Sequence, residues 1–351
     1  MRFITFIIIF IFTLALSLFY SFFENDLGEE KEDLELVIES ELSDELGDIV
    51  EGHDFIGIEE DGIFQWIGKD EGEVLKHYGA PTRRDMTPYG YEWFVYKNQK
   101  YYIQLGIDDG VVVTVYTNDE KADIGLIKIG DNYEHVARHF PFAPSISLEK
   151  GASSYEFQLS EEELAMTPLA SYGDVWVQFY FDSLEDRLSS VRFVSKETLL
   201  LQRPYSIVYR GELLEEEALG EEEWEGVQEG RAKQIFDLTN HIRLKHHLSP
   251  LAWDDSIALV AYDHSQDMYE NSYFAHRSPT KGDLKDRLQV EKVVFQLAGE
   301  NIAAKYVDSI AAVEGWLNSE GHRVNLLNEE FTHLGVGVYR DFYTQNFMTP
   351  W

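Results

Sequence analysis

The chain has 351 residues, enough for two cores, and its 44% apolar and 14% aromatic content marks a globular protein rather than a disordered one. A formal charge of −35 sets it against nucleic acid and anionic membrane surfaces, because binding to either depends on cationic side chains. With no cysteine, disulfides, thiol catalysis, thiolate metal sites and a lipidated cysteine anchor are all excluded.

Arg2 precedes an apolar run from Phe3 to Phe23, about the length of a bilayer-spanning helix. A positive start and an acidic sequel place the N-terminus inside and the remainder outside. The expectation is a membrane anchor over residues 1–23 with extracellular domains. The alternative is a signal segment cleaved near Ala15-Leu16-Ser17 to release a secreted protein. Residues 24–51 hold thirteen acids and one Lys and read as a solvated tether.

A folded region is expected over residues 52–210. Its strands are suggested by Tyr91–Tyr96, Tyr101–Ile107, Val111–Tyr116, Val175–Phe181 and Val191–Val194, rich in aromatic and β-branched residues. Asp108-Asp109-Gly110 reads as the turn of a hairpin. Ile67-Gly68 with Val74, Lys76, His77 and Tyr78 is matched by Ile129-Gly130 with Val136, Arg138, His139 and Phe140 at a constant offset of 62 residues. Two copies are too few for a solenoid, so a duplicated α+β unit is expected, with His77 and His139 in structural roles.

The Glu-rich stretch 211–229 reads as an acidic linker, with a helical conformation left open. From residue 230 the pattern becomes helical. Ile235, Leu238 and Ile242 share one face, as do Ile257, Val260, Ala261 and His264 after a cap at Asp254 or Asp255. A further helix fits Asp308–Leu317, and Leu334–Tyr339 with Phe342–Phe347 reads as a hairpin. His264 is expected in the core, His246-His247 at a helix end, and His333 flanking a groove.

Five phrases stand out: His264-Ser265-Gln266-Asp267-Met268, Tyr273-Phe274-Ala275-His276, Gly299-Glu300-Asn301-Ile302-Ala303, Trp316-Leu317-Asn318-Ser319 with Gly321-His322-Arg323, and Gly335-Val336-Gly337-Val338. In this order, residues 230–351 resemble a CAP (SCP) domain, the family of cysteine-rich secretory and plant pathogenesis-related proteins, in its cysteine-free bacterial form. The preceding region resembles the CAP-associated N-terminal domain of spore-forming Gram-positive bacteria. The resemblance implies a C-terminal CAP α/β/α sandwich; with the repeat and the apolar N-terminal run, the expected architecture is α+β, that sandwich preceded by a duplicated α+β module and an N-terminal membrane helix.

The resemblance also implies a groove faced by two His and two Glu. His276, Glu300 and His322 match three of these, but Ser319 stands where the second Glu belongs. Loss of one carboxylate weakens any mechanism that requires paired acids. Three readings compete. His276, His322 and Glu300 resemble the three-ligand arrangement of catalytic zinc, although they lie 22 to 24 residues apart and lack a His-Glu-x-x-His helix. A serine hydrolase using Ser319 or Ser265 needs a His within hydrogen-bond reach and an oxyanion donor, and no Gly-x-Ser-x-Gly elbow is present. In the third reading Glu300 accepts hydrogen bonds, Asn301 braces its loop, and the polar network stiffens a groove.

The expectation that follows is a non-catalytic protein at the surface of a Gram-positive spore-former. It binds an envelope ligand (lipid, peptide or glycan) or a protein, contacts the membrane through its N-terminal helix, and does not bind nucleic acid. The alternatives are a metal-dependent, zinc-loaded hydrolase and a structural envelope or spore component.

Overall fold

The computed structural model describes residues 62–98 and 101–351. The apolar segment 1–23 and the acidic tether 24–51 lie outside the described residues. Among those described, no helix is long and apolar enough to cross a membrane.

A 3-10 turn leads into helix α1 (Glu71–Tyr78) and strands β1 (Arg83–Met86), β2 (Glu92–Lys97), β3 (Tyr102–Asp108) and β4 (Val111–Thr117). The second copy begins at α2 (Tyr133–His139) and is interrupted by β5 (Ser145–Lys150), β6 (Ser153–Gln158) and α3 (Glu161–Met166). It resumes with β7 (Leu169–Tyr172), β8 (Val175–Asp182) and β9 (Arg187–Ser195), followed by α4 (Lys196–Gln202) and β10 (Ser206–Arg210). Asp70 and Asn132, 62 residues apart, cap α1 and α2 by accepting from the amides of Gly72 and His135. The anchoring bonds also recur. Gly68 N donates to Val112 O at 2.8 Å, and Gly130 N donates to Leu188 O at 2.8 Å.

The two copies share one antiparallel seven-stranded sheet of order β1-β2-β3-β4-β9-β8-β7. The last strand of each copy meets the other at the centre, with Thr114 opposite Val194. The inserted β5 and β6 pair with β10 as a separate three-stranded sheet over its own core of Leu148, Phe157, Leu199 and Leu200. The β3–β4 turn at Asp109 and Gly110 has φ of 45° and 79°, the left-handed pair that a two-residue hairpin favours.

The remaining elements are α5 (Glu221–Lys245), β11 (Ala252–Trp253), α6 (Asp255–Glu270), α7 (Leu284–Val290), β12 (Phe295–Ala304), α8 (Ser309–Leu317), α9 (Glu320–Leu326), β13 (His333–Tyr339) and β14 (Phe342–Pro350). Of the linker stretch 211–229, residues up to Gly220 have no helix or strand, and the rest takes the helical alternative, since α5 begins at Glu221. Glu221, Glu222 and Glu223 occupy its first turn, where carboxylates complement the unpaired amides of the helix N-terminus. Strands order as β11-β13-β14-β12. One face of this sheet packs Val336, Val338, Tyr343 and Phe347 against α5 and α8 through Ile235, Leu238, Val313 and Trp316. On the other face, Ile257 and Val260 of α6 and Leu288 of α7 meet Met348. The glycines of Gly335-Val336-Gly337 let the α6 backbone rest directly on β13. A Cβ at Gly335 would stand 2.2 Å from the nitrogen of Ala258, and one at Gly337 1.9 Å from that of Tyr262.

The N-terminal sheet is buried on both sides, and the two-residue alternation of a strand divides its side chains between two cores. Phe94, Ile103, Val115, Phe179 and Phe181 pack with Val74 of α1 and Val136 of α2. Their neighbours Trp93, Val95, Tyr102, Tyr116 and Tyr180 point the other way, into the same cluster as Ile235, Ile310, Trp316 and Phe347. The two regions therefore share a core. Polar clamps surround it: Arg83 and Lys97 on Asp237, Gln234 on Asp85, and Arg192 on Asp308.

Candidate functional site

His276 follows α6 in a loop, Glu300 and Asn301 sit in the middle of β12, and Ser319 and His322 open α9. Successive strand residues face opposite sides of a sheet. Glu300 accordingly turns toward α7, while Asn301 turns toward α9 and the core.

Glu300 is buried and both its oxygens are engaged. Oε1 takes His276 Nδ1 at 3.0 Å, and Oε2 takes the guanidinium of Arg287, itself buried on α7. Arg287 also donates to the carbonyls of His276 (2.9 Å) and Gly282 (3.1 Å), fixing the loop that carries His276. Asn301 ties β12 to α9 and β14. Its Nδ2 donates to His322 O (3.1 Å) and Gln345 Oε1 (3.2 Å), and its Oδ1 accepts from Asn325 (2.9 Å). His322 Nδ1 meets Ser319 Oγ at 2.9 Å, and the His276 and His322 ring centroids lie 6.5 Å apart. Burial lowers the pKa of His322, and the neighbouring His276 lowers it further, so its imidazole is neutral at pH 7.

These contacts do not fit the three-ligand zinc centre expected of His276, Glu300 and His322. Donor atoms of the three do not all come within 4.8 Å of one another, and the carboxylate is already committed to a guanidinium and an imidazole. Glu300 instead orients His276, leaving the outer nitrogen of each imidazole without a bonded partner among the described residues. Ser319 does have a His in reach, one condition for a hydrolase. No acid bonds the far nitrogen of His322 among the described residues, so the orienting member of a triad is missing. Ser265 is structural: its buried hydroxyl bonds Gly337 O (2.9 Å) and Thr344 Oγ1 (2.8 Å).

Ser319 and His322 lie at the edge of a groove of about 1090 Å³. Tyr269, Phe274, Tyr306, Trp316 and Phe342 form its apolar walls, and Glu162 and Met166 of α3 reach in from the N-terminal module. A second crevice of about 460 Å³ shares Glu162, Met166, Lys305, Tyr306 and Asn318 with it and continues along the seam to Arg203 and Tyr205. His333 does not line either space; it starts β13, with Nδ1 on Thr332 Oγ1 at 2.8 Å.

Residues outside the sequence motifs complete the arrangement. Arg287 carried no motif; the only available signal was that a buried Glu300 needs a countercharge. Asp182, Glu185 and His246 form the one metal-like cluster among the described residues. Guanidinium groups already fill it. Arg323 Nη1 meets both Asp182 oxygens at 2.9 Å, and Arg187 approaches Glu185 at 3.1 Å and His246 at 2.9 Å. This cluster ties β8 to α9.

His264 is fully buried, its Nε2 on Ala275 O at 3.1 Å. Burial lowers its pKa to about 4, against the opposing pull of Glu300. A depressed folded-state pKa gives stability that is present above the unfolded value near 6.5 and lost as pH falls toward 4. The loss is at most about 3 kcal/mol. Urea unfolding at pH 7 and pH 4 should show a smaller acid loss in His264→Gln than in the native chain; equal losses would refute this origin.

The description "CAP-associated N-terminal" matches residues 67–205, and "Cysteine-rich secretory protein family" matches residues 236–349. A Bacillus subtilis (strain 168) protein described as the uncharacterized membrane protein YlbC is 47% identical over 291 residues, 83% of this chain and 84% of that one. Among solved structures, an extracellular SCP-domain protein of Bacillus anthracis str. Ames has 47% identity and a TM-score of 0.79, covering 85% of this chain and 99% of that one. A cysteine-rich secretory protein of Staphylococcus aureus subsp. aureus Mu50 has 28% identity and a TM-score of 0.73, covering 82% and 95%. The ordered phrases, the glycine-floored sandwich and relatives matched across both regions place the chain in the CAP family of cysteine-rich secretory proteins, in the form that carries the CAP-associated N-terminal region.

Proposed function

We propose that this is a surface-held, non-catalytic CAP protein that binds an envelope ligand in the groove formed by both of its regions. The observation that carries this reading is the groove itself: aromatic walls from the CAP region, a second wall from α3, and a polar edge where His322 is bonded to Ser319. Catalysis needs a reactive group held ready for a substrate, whereas Glu300 is spent on Arg287 and His276. The apolar run from Phe3 to Phe23 and the relatives described as membrane and extracellular support an outward-facing position at the membrane of a Gram-positive bacterium. A charge of −35 disfavours anionic ligands and leaves neutral lipid, glycan or peptide as the ligand class.

Two measurements test it. The full chain in detergent, and its Met166→Asp and Phe274→Ala variants, are incubated with purified cell-wall glycan, neutral lipid vesicles and an extended peptide library. Saturable binding to one class, weakened about tenfold or more in both variants at unchanged melting temperature, is the expected result. Calorimetric titration with zinc is expected to give no stoichiometric heat. Tight zinc binding that His276→Ala/His322→Ala abolishes, together with a hydrolytic activity, would replace this reading with the metal-dependent hydrolase.

A further inference from the structure

The shared core leaves one ionisable group in an unusual position. Glu314, on α8, projects across the seam into the N-terminal sheet and is buried. Its Oε1 accepts from Ser190 Oγ at 2.5 Å and Ser189 Oγ at 3.2 Å, both on β9, while its Oε2 has no partner. A buried carboxylate with two hydroxyl donors on one oxygen and an unpartnered second oxygen is poorly compensated when ionised, and protonation removes the buried charge. The same short helix carries the groove floor, since Gly315 and Trp316 precede Asn318 and Ser319, and all four line the groove. Both ends of α8 are already clamped to the N-terminal sheet. Arg192 holds Asp308 at its start, and Asn318 beyond its end donates to Phe181 O at 2.8 Å. Glu314 stands between those clamps.

We propose that Glu314 is a pH-sensitive latch that seats α8, and with it the groove floor, on strand β9. Protonated, the carboxyl keeps its serine contacts without burying a charge. Ionised, it favours water entry and separation of α8 from β9. The consequence for the ligand rests on the groove being the binding site, as proposed above; the latch itself does not.

The groups facing Glu314 decide the sign. From β9 there are the hydroxyls of Ser189 and Ser190; from β4 and β8, Tyr116 and Tyr180, both kept protonated by burial. Asp182 of β8 is held by Arg323. From α5 comes Lys245, whose Nζ donates to Ser189 O at 3.2 Å. Burial raises the pKa of Glu314 to about 7, opposed by Ser190, Ser189 and Lys245. Burial lowers that of Lys245 to about 8, so the ammonium stays charged at pH 7.5 and below in most molecules. A carboxyl raised in the seated state stabilises that state fully below its exposed value near 4.5, and the contribution is lost as pH rises through 7. His241 and His246, also on or beside the end of α5, are depressed by burial and drive the opposite trend. Comparison with a variant that changes only Glu314 cancels them.

The test is amide hydrogen exchange across 187–193 and 309–318 in the full chain, corrected for the intrinsic rate. With a shift from 4.5 to about 7, opening of the seam should rise about twentyfold between pH 5.5 and 7.5 relative to Glu314→Gln. Ser190→Ala, which removes a donor to the ionised form, should move the transition to higher pH. The same pH response in Glu314→Gln as in the native chain would overturn the latch, as would a transition unmoved by Ser190→Ala. Nile red, an uncharged apolar probe, reports separately on the groove. Its affinity is expected to fall with the seam opening in the native chain and to stay level in Glu314→Gln. If Met166→Asp leaves Nile red binding unchanged, the groove reading fails while the exchange result still decides the latch.

Discussion

Replacing Arg287 with Leu is expected to destabilise the protein by about 3–5 kcal/mol, because Glu300 is then left buried with no countercharge. The guanidinium does two things at once. It neutralises Glu300 and, through the carbonyls of His276 and Gly282, holds the loop that brings His276 to Oε1. Urea unfolding at pH 7 measures the loss. Arg287→Leu combined with Glu300→Leu should recover much of it, since removing both members of a buried pair costs far less than removing one. A single-site loss below about 1 kcal/mol would show that the carboxylate is not dependent on Arg287, and the polar-brace account of the trio would then fail.

A loss of similar size, about 3–5 kcal/mol, is expected for Arg192→Leu, which orphans Asp308 at the seam. Arg192 is fully buried on β9 and reaches across to the residue that caps α8 through Ala311 N. The shared core predicts one cooperative transition for both regions in native and variant chains. Differential scanning calorimetry tests this directly. Two separated transitions, with Arg192→Leu shifting one alone, would mean that the regions fold independently and that α3 is not a fixed wall of the groove.

Local patterns were readable wherever a short-range constraint produced them. The acids before Ile257 predicted a cap of α6 at Asp254 or Asp255, and it is Asp254 whose Oδ1 accepts from Ser256 and Ile257. The 62-residue offset was readable because both copies need the same cap and the same buried valine, Val74 or Val136. Over residues 221–229 the run of acids left linker and helix both open, and the apolar stripe beginning at Val227 decides for the helix.

The site divided along the same line. The five phrases identified His276, Glu300, His322, Asn301 and Ser319 as a group, but a metal centre and a brace use the same residue types. Only the geometry separates them, through the distances between donor atoms and the commitment of Glu300 to Arg287. Arg287 itself was invisible, being an ordinary helix residue until the fold brings it beside a buried carboxylate.

By itself, then, the sequence determined the family, the repeat, the central strands of the N-terminal sheet, the main CAP helices and the final hairpin, and which polar residues cluster, because caps, alternation and glycine contacts act over a few residues. Tertiary structure decided that the N-terminal sheet buries its second face on the CAP region and that α3 walls the groove. It also decided that Glu314 lies in the seam. Those outcomes depend on which surfaces exclude water from each other, a property of residues more than a hundred positions apart that no local pattern encodes.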